Sequence, residues 1–492
     1  MPKTEYPSLY QVNTRVWLTD LSREVGRAVT LDDIPDEALD RLIDEAIEWV
    51  WLLSVWQTGP EGRRISRENP DWQAEFRETL PDLTEDDVAG SGFAIAAYTV
   101  HASLGGDAAL ARLRARLRSR GIRLMLDFVP NHSAIDCPWV QAHSDYYVHG
   151  NEAEMAAAPA NYRKMDHPQG SLILAHGRDP YFPGWPDTLQ LNYGNPKLQE
   201  AMVTELTNIA GKCDGVRCDM AMLVEPAVFE RTWGIPSDPF WPKAIRQVRE
   251  QVPGFVFMAE VYWDMEWELQ QHGFDYTYDK RLYDRLREGH AGPVRDHFLA
   301  APGYQNKMAR FLENHDEPRA AAAFPPGMHQ AAAVLTYCSP GLRFFHYGQL
   351  QGKTKRISPH LVRGPQEPVN AELETFYREL LALLYLPAFK SGHWQLLATT
   401  PAWADNPTHL NYIAFAWEGP AGERFLVAVN YAPQHSQCYI PLPFPELDGF
   451  QWRLNDRISG TAFVRDGHDL QHMGLYLDEH PWRHFVFSFQ KQ

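Results

Sequence analysis

The stretch GVRCDMA (215–221) ends a short apolar run and carries two charged residues, Arg217 and Asp219. In a β-strand, residues two apart point to the same side, so one strand end presents a cation beside a carboxylate. A guanidinium beside an aspartate favours the ionised carboxylate, which is the form that a nucleophile requires. Taken alone, the stretch is equally typical of a structural ion pair at the end of a sheet.

Three other apolar runs carry polar residues at or near their ends. They are IRLMLDFVP (122–130) with Asp127 inside it and Asn131 and His132 after it, GFVFMAEVYW (254–263) with Glu260, and KMARFLENHD (307–316) with His315 and Asp316. Reacting groups of a parallel barrel lie at the C-terminal ends of its strands. The spacing therefore predicts that these side chains line one mouth.

The acidic residues of these runs suit two different roles. Cleavage of a glycosidic bond requires two carboxyl groups across the bond, one ionised and one protonated. Asp219, beside Arg217, suits the ionised role. Glu260 follows the apolar run FVFMA, and partial desolvation beside other acids raises a carboxyl pKa towards that of a general acid.

Apolar runs and amphipathic helical segments alternate along most of the chain. The predicted strands are 9–18, 49–56, 122–130, 215–221, 254–263, 273–279, 307–316 and 342–349, and the predicted helices are 34–50, 107–121, 195–211, 242–252 and 370–386. Eight strands alternating with helices predict an α/β fold, a closed (β/α)₈ barrel. An open doubly wound sheet is the alternative, but no glycine-rich phosphate-binding turn follows the first strand.

Two segments do not fit the alternation. About ninety residues separate the third and fourth strands, which is far more than one crossover helix needs, so an irregular subdomain is predicted at 133–189. After residue 386 short strands alternate with turns, which predicts an antiparallel β-sandwich domain at 387–492. The barrel then comprises 1–132 and 190–386. No periodicity organises 57–92, which is predicted to be a long charged loop.

Composition limits the classes of partner. The net charge of −17 argues against nucleic acid and against an anionic membrane surface. No secretory signal begins the sequence and no apolar run is long enough to span a bilayer. The five cysteines form no metal-type pair and are typical of reduced thiols, so a cytoplasmic location is expected. The oligomeric state stays open.

Four motifs carry a resemblance to a known family. DFVPNH (127–132), GVRCDMA, MAEVYW (258–263) and FLENHDE (311–317) resemble, in order, the four short signature regions of the α-amylase family of retaining glycoside hydrolases and transglycosidases. The barrel, the insert, which corresponds to the family's B domain, and the C-terminal β domain extend the resemblance over nearly the whole chain.

The resemblance implies a role for each motif residue. Asp219 matches the nucleophile, Glu260 the acid/base and Asp316 the aspartate that stabilises the transition state. His132, His315 and Arg217 match residues that bind the sugar or orient the nucleophile, with structural histidines as the alternative. Asp127 matches the aspartate that braces the arginine.

Three further residues have two interpretations each. Phe93 stands where the family usually has a tyrosine that stacks on the sugar, and core packing is its alternative. Trp263 is predicted to bind substrate, although a tryptophan near a strand end is often packed core. Asn131 matches a frequent calcium ligand; the glycosylation pattern at 131–133 is discounted in a chain without a signal. No cofactor is required, and calcium is an optional ligand.

Departures from the family leave the reaction open. Met222 and Leu223 replace a Lys-His pair common in starch-degrading members, Gln349 replaces a common glutamate, and a basic loop follows at 352–365. The sequence predicts a retaining glycosidase that cleaves α-glucosidic bonds of small carbohydrates by double displacement. An α-glucosyl transferase of the same family and a non-catalytic binding protein are the alternatives.

Overall fold

Eight parallel strands close into a barrel in the computed structural model, which describes residues 5–168 and 170–492. The strands are β1 (Ser8–Asn13), β2 (Trp49–Leu53), β3 (Arg123–Phe128), β4 (Gly215–Cys218), β5 (Val256–Ala259), β6 (Tyr276–Tyr278), β7 (Met308–Arg310) and β8 (Leu342–His346). Each strand pairs with the next in the chain, and β8 closes the ring on β1, with Arg343 opposite Ser8. The predicted (β/α)₈ barrel is confirmed.

Helices fill the connections and cover the outside of the barrel. The main ones are Thr14–Val25, Asp36–Asp44, Gly106–Ser119, Pro196–Ala210, Pro226–Trp233, Trp241–Gln251, Glu266–Gln271, Lys280–Glu288, Ala291–His297, Pro302–Gln305, Ala320–Ala323, Met328–Tyr337, Ala371–Leu384 and Pro387–Ser391. Their buried apolar faces and the strands form one continuous core. Among the described residues no helix is both long and apolar enough to cross a membrane.

The first strand is shorter than the predicted 9–18. It ends at Asn13, whose side chain accepts a hydrogen bond from the amide of Val16 and so caps the helix Thr14–Val25. An asparagine cap satisfies one of the free amides at a helix start. The apolar residues after Asn13 therefore belong to the helix.

The segment 57–92, predicted to be a loop, contains two helices, Pro60–Glu68 and Pro70–Thr79. Asn69 separates them: its amide bonds back to Ile65, and its side chain accepts from the amides of the next helix. Each helix begins with a proline, which is favourable at a first helical position. Both helices are so short and charged that the sequence shows no clear period.

The segment between β3 and β4 holds two small antiparallel pairs. His132–Ala134 pairs with Thr188–Gln190, and Tyr162–Met165 pairs with Leu172–Ala175. A further hairpin, Trp56–Thr58 with Ile95–Val100, lies between β2 and β3. These pairs stand at the end of the barrel where β2 and β3 finish.

The C-terminal part is an antiparallel β domain, as predicted. Its strands are β9 (His393–Leu397), β10 (Tyr412–Glu418), β11 (Arg424–Asn430), β12 (Ser436–Ile440), β13 (Gln451–Asp456), β14 (Ala462–Asp466), β15 (Leu475–Glu479) and β16 (His484–Lys491). Six form one sheet, β12 and β15 form a second, and side chains of both sheets share one apolar core.

Gly341, directly before β8, allows a close approach that closes the barrel. Its φ is +116°, and an added Cβ would overlap the carbonyl oxygen of Met308 at the start of β7. We expect Gly341→Ala to lower the free energy of unfolding by about 3 kcal/mol, because such a φ is nearly restricted to glycine and the carbonyl cannot move aside. Urea denaturation measures the loss.

Gly303 provides the matched control for this substitution. It lies in the helix Pro302–Gln305, and an added Cβ would meet open space. Gly303→Ala should leave stability unchanged or raise it by up to about 1 kcal/mol, since alanine favours helices. Equal effects of the two substitutions would contradict the role given to Gly341.

Candidate active site

Arg217 lies at the centre of the polar residues at the barrel mouth. Its side chain is buried, and one terminal nitrogen donates to Oδ1 of Asp219 at 2.5 Å. The other terminal nitrogen lies 2.6 Å from Oε2 of Glu260. One guanidinium thus holds the two carboxyls predicted to flank a bond, and holds them on neighbouring nitrogens.

Three aromatic rings enclose the same guanidinium. Its carbon Cζ lies 5.2 Å from the ring centroid of Trp51, 5.2 Å from that of Phe93 and 5.8 Å from that of Tyr278. Such rings attract a desolvated cation through their negative faces. Phe93 therefore belongs to the site, where it packs on Arg217 and stacks on His315 at 5.2 Å.

The backbone after β4 turns sharply and brings a further donor to Glu260. Met220 adopts a left-handed conformation, with φ +42° and ψ +48°, which is uncommon for a side chain of this kind. The turn directs the amide of Met220 onto Oε2 of Glu260 at 2.7 Å. The hydroxyl of Tyr262 donates to Oε1 of the same carboxyl at 2.8 Å.

Asp219 and Glu260 both have a raised pKa, but different neighbouring charges and hydrogen bonds act on each carboxyl. Burial raises the pKa of Asp219 and of Glu260, and the charge of Arg217 lowers both in part. Asp219 also receives a direct hydrogen bond from Arg217, and the charge of Asp316 raises its pKa. The charges of Asp219 and Asp316 both raise the pKa of Glu260, and the amide of Met220 lowers it in part. One cation cannot offset three carboxylates, so a proton retained by the group is favoured on Glu260.

His315 connects Asp316 to a buried polar chain. Burial lowers the pKa of His315 to about 3, so the ring is neutral. Nε2 of Gln11 lies 2.7 Å from its Nδ1 and can only donate, which leaves the ring proton on Nε2, 3.1 Å from Oδ2 of Asp316. The oxygen of Gln11 accepts in turn from Nδ1 of His346 at 2.7 Å.

His132 is likewise neutral and buried, with burial lowering its pKa to about 3. Its Nδ1 lies 3.4 Å from Nδ2 of Asn131, and its ring centroid lies 5.1 Å from that of Trp185. Nδ2 of an amide donates, so the proton of His132 is on Nε2. Both histidines therefore carry their ring proton on Nε2, and that of His315 faces Asp316.

Asn131 is expected to ligate calcium, but a side-chain amide already contacts its oxygens. Both Oδ1 and the carbonyl oxygen of Asn131 accept hydrogen bonds from the side-chain amide of Gln190, at 3.0 and 2.9 Å. An amide nitrogen thus fills the position from which these oxygens would bind a cation. The side chains around Asn131 do not fit a calcium ion in this arrangement.

Asp127 differs from the brace that the resemblance implies. Its Oδ1 accepts from the indole of Trp51 at 3.0 Å and its Oδ2 from the amide of Ser54 at 3.3 Å, rather than from Arg217. Burial raises its pKa to about 7, and the charge of Arg217, which lies opposite it on β4, lowers that pKa in part. Asp127 supports the site by fixing Trp51, one of the rings around Arg217.

Trp263 lies in a separate, more exposed group. Its ring meets Tyr181 edge-on at 5.2 Å, and Cζ of Arg231 lies 5.8 Å from its centroid. Trp263 and Asp264 both have φ near +63°, so the loop after β5 is strained where it carries the indole. This group is not part of the packing around Arg217.

Sequence reasoning missed three residues that hold the site together: Gln11, Tyr278 and Gln190. Gln11 and Tyr278 are fully buried in β1 and β6, and Gln190 is fully buried beside Asn131. The detectable signal for Gln11 was a polar residue inside an apolar run, because a buried amide requires partners. No local signal identified its partners, which lie more than 300 positions away.

The sequence is similar to one family model and to several known proteins. A family model described as "Alpha amylase, catalytic domain" matches residues 81–287. The chain is 24% identical over 287 residues to "Alpha-amylase MalA" of Haloarcula japonica, covering 56% of this chain and 39% of that protein. It is 27% identical over 235 residues to "Trehalose synthase/amylase TreS" of Mycobacterium tuberculosis, covering 40% of this chain and 37% of that protein.

The fold is matched over almost the full chain. The maltogenic alpha-amylase AmyB from Thermotoga neapolitana superposes with a TM-score of 0.70 at 18% identity, covering 99% of both chains. The chain therefore shares the architecture of that enzyme. It spans well under half the length of the two curated relatives named above.

The ion pairs of Arg217 with Asp219 and Glu260 predict that removing Arg217 destabilises the fold by an amount that depends on pH. Below about pH 4 both carboxyls are protonated in the folded and unfolded chain, so little is lost there. Raised folded pKa values make stability fall as pH rises through them, and removing Arg217 raises them further. We expect Arg217→Met to lower the free energy of unfolding by about 3–5 kcal/mol at pH 8 and by clearly less at pH 5, measured by urea denaturation.

Arg343 is the control, because it is equally buried but donates to backbone carbonyl oxygens. Burial lowers its pKa to about 10, so it stays charged at both pH values. Arg343→Met should therefore lose the same stability at pH 5 and pH 8. If Arg217→Met also showed no pH dependence, the pairing with two titrating carboxyls would be refuted.

Proposed function

We propose that this chain acts as an enzyme of the alpha-amylase family, whose catalytic-domain model matches residues 81–287, and that it is a retaining glycosidase that cleaves α-glucosidic bonds of short oligosaccharides or glucosides. The observation that carries the proposal is the guanidinium of Arg217 bridging Asp219 and Glu260. It sets a carboxylate and a carboxylic acid side by side, as double displacement requires.

In the first displacement, an oxygen of Asp219 attacks the anomeric carbon of the sugar. The bond from that carbon to the glycosidic oxygen breaks, and the proton of Glu260 passes to the departing oxygen. Arg217 keeps Asp219 ionised, and the burial of Glu260 retains the proton to be given away. The product is a glycosyl ester of Asp219.

In the second displacement, Glu260 acts as a base. It takes a proton from water or from a sugar hydroxyl, whose oxygen attacks the anomeric carbon and releases the carboxylate of Asp219. Tyr262 donates to Oε1 of Glu260 and stabilises its ionised form during this step. Two inversions at one carbon give net retention.

The remaining residues suit a bound sugar. His132 and His315 are neutral imidazoles beside the carboxyls and can form hydrogen bonds with sugar hydroxyls. Phe93 supplies an apolar face beside Arg217. Asp316, with a side chain 48% exposed, is accessible to accept from hydroxyls and to stabilise positive charge at the anomeric carbon.

Three loops meet at one side of the mouth and support a pocket closed at one end. Glu61, on the helix Pro60–Glu68, pairs with Arg163 of the insert at 2.6 Å. Glu75, on the helix Pro70–Thr79, pairs at 2.5 Å with Arg356 of the basic loop after β8. A polymer cannot thread a closed end, so the proposed substrates are short.

Glucosyl transfer is the second candidate, since the intermediate accepts either water or a sugar hydroxyl. Met222 and Leu223, where starch-degrading members often have Lys-His, are buried and offer no polar contact. The exposed group of Tyr181, Arg231 and Trp263 would then form an acceptor surface. TreS, named as a trehalose synthase and amylase, shows the same pairing of activities in a relative.

A first experiment tests the nucleophile. Asp219→Asn keeps the shape of the side chain but removes the attacking charge, so we expect the rate to fall by roughly 10³-fold or more with an unchanged circular dichroism spectrum. The assay measures hydrolysis and transfer on maltose, maltooligosaccharides, sucrose, trehalose and glucosylglycerol. A wild-type protein inactive on all of them would argue for a non-catalytic binding role.

The two carboxyls can be told apart by azide rescue with an activated α-glucoside. In Asp219→Ala, azide should attack from the vacated face and give the β-glucosyl azide. In Glu260→Ala, the glycosyl ester still forms, so azide should give the α-glucosyl azide. Reversed products would exchange the two assignments.

A second experiment tests the closed end. We expect the wild type to prefer maltotriose over soluble starch in kcat/KM, with slow loss of iodine staining. Arg163→Met breaks the contact between the insert and Glu61 and should raise the starch-to-maltotriose ratio by about 2–5-fold, a modest effect because such pairs are worth at most about 1 kcal/mol.

Arg64→Met is the matched control, because Arg64 pairs with the same Glu61 from within its own helix at 2.7 Å. It removes a charge without separating the loops and should leave the ratio unchanged. Fast internal cleavage of amylose by the wild type would show that the mouth is open at both ends.

A further inference from the structure

The strand that precedes the helix Pro196–Ala210 ends in a fully buried glutamine. Gln190 is the last residue of Thr188–Gln190 and lies opposite His132 in the small antiparallel pair after β3. A long polar side chain at such a position must find hydrogen-bond partners inside the protein. Its partners are three oxygens.

The side-chain nitrogen of Gln190 lies at the centre of these oxygens. Nε2 donates to the carbonyl oxygen of Asn131 at 2.9 Å, to Oδ1 of Asn131 at 3.0 Å and to the carbonyl oxygen of Leu191 at 3.1 Å. At the other end of the same side-chain amide, Nδ2 of Asn131 lies 3.4 Å from Nδ1 of His132. We call these three acceptors the Asn131 oxygen cradle.

The orientation of the Gln190 amide follows from charge. Oε1 is buried without a hydrogen-bond partner among the described residues, which costs free energy. Exchanging Oε1 and Nε2 would place that oxygen against three others at about the same distances, which is worse. The amide of Gln190 therefore leaves Oε1 without a partner, because this orientation lets Nε2 donate to the three oxygens of the cradle.

The cradle has the ligand type of a calcium site but not its dimensions or charge. Calcium takes six to eight oxygens at about 2.3–2.6 Å, commonly including carboxylates. The three oxygens here are neutral and lie 2.9–3.1 Å from Nε2, which are hydrogen-bond distances. The end of the glutamine occupies the space that an ion would need.

We propose that the amide of Gln190 replaces a divalent cation at the Asn131 oxygen cradle. The partial positive charge of its two N–H bonds orders the same carbonyl groups that a metal would order. The segment leading into His132 is thereby held without a metal. This inference does not depend on the proposed reaction.

Two shortened variants test it. Gln190→Asp withdraws the end of the side chain by about 1.5 Å, one carbon–carbon bond, and opens an ion-sized gap lined by a carboxylate and three oxygens. Gln190→Asn makes the same gap without the charge. In chelator both should melt lower than wild type by about 1–3 °C, since a buried polar contact is lost.

Calcium separates the two variants. Millimolar calcium should restore most of the melting temperature of Gln190→Asp, with a rise that depends on calcium concentration, and should leave Gln190→Asn unchanged. Titration calorimetry should show one calcium site in Gln190→Asp. If calcium raised both variants equally, or neither, the cradle would not be a cation position.

The wild-type protein gives an independent readout that does not require either variant to fold. Elemental analysis after purification in calcium-containing buffer should find well under one calcium per chain. Its melting temperature should be the same in chelator and in millimolar calcium. A stoichiometric calcium ion in the wild type, or a melting temperature that falls in chelator, would overturn the proposal.

Discussion

The buried guanidinium of Arg217 is the interaction on which the site depends. It offsets part of the cost of burying Asp219 and Glu260, and it fixes both on one rigid, planar group. A lysine could not replace it, because a single ammonium lacks the fork that addresses two carboxyls at once. Isolated buried ion pairs are often no more stable than apolar packing, so the arrangement is better explained by chemistry than by stability. The three aromatic rings around the guanidinium reduce the free-energy cost of burying its charge.

The barrel places these groups through parallel register. Arg217 lies opposite Asp127 on β3 and Met258 on β5, so the residues following each strand emerge at one level. The left-handed turn at Met220 then adds a backbone donor to Glu260. Strain of this kind persists where the surrounding structure fixes it, and the buried strands around Arg217 provide that rigidity.

Amide side chains order the two histidines. Gln11 fixes the tautomer of His315, and Asn131, itself held by Gln190, faces Nδ1 of His132. Neutral amides can donate and accept at once, which lets them direct ring protons without adding charge to a mouth that already holds three carboxyls. The same property allows Gln190 to take a role otherwise suited to an ion.

The sequence by itself determined the barrel, the C-terminal β domain and the identity of the charged mouth residues. Apolar periodicity and the positions of strand ends are local properties, and a barrel converts them into a common site. The helices within 57–92, the Gln11 bridge and the Gln190 amide were decided by the tertiary structure. Gln11 meets partners from β8 and from the segment after β7, more than 300 positions away, and such contacts leave no periodic trace. Orientation of a polar side chain depends on which acceptors folding brings beside it, and that is fixed only when the ring of strands closes.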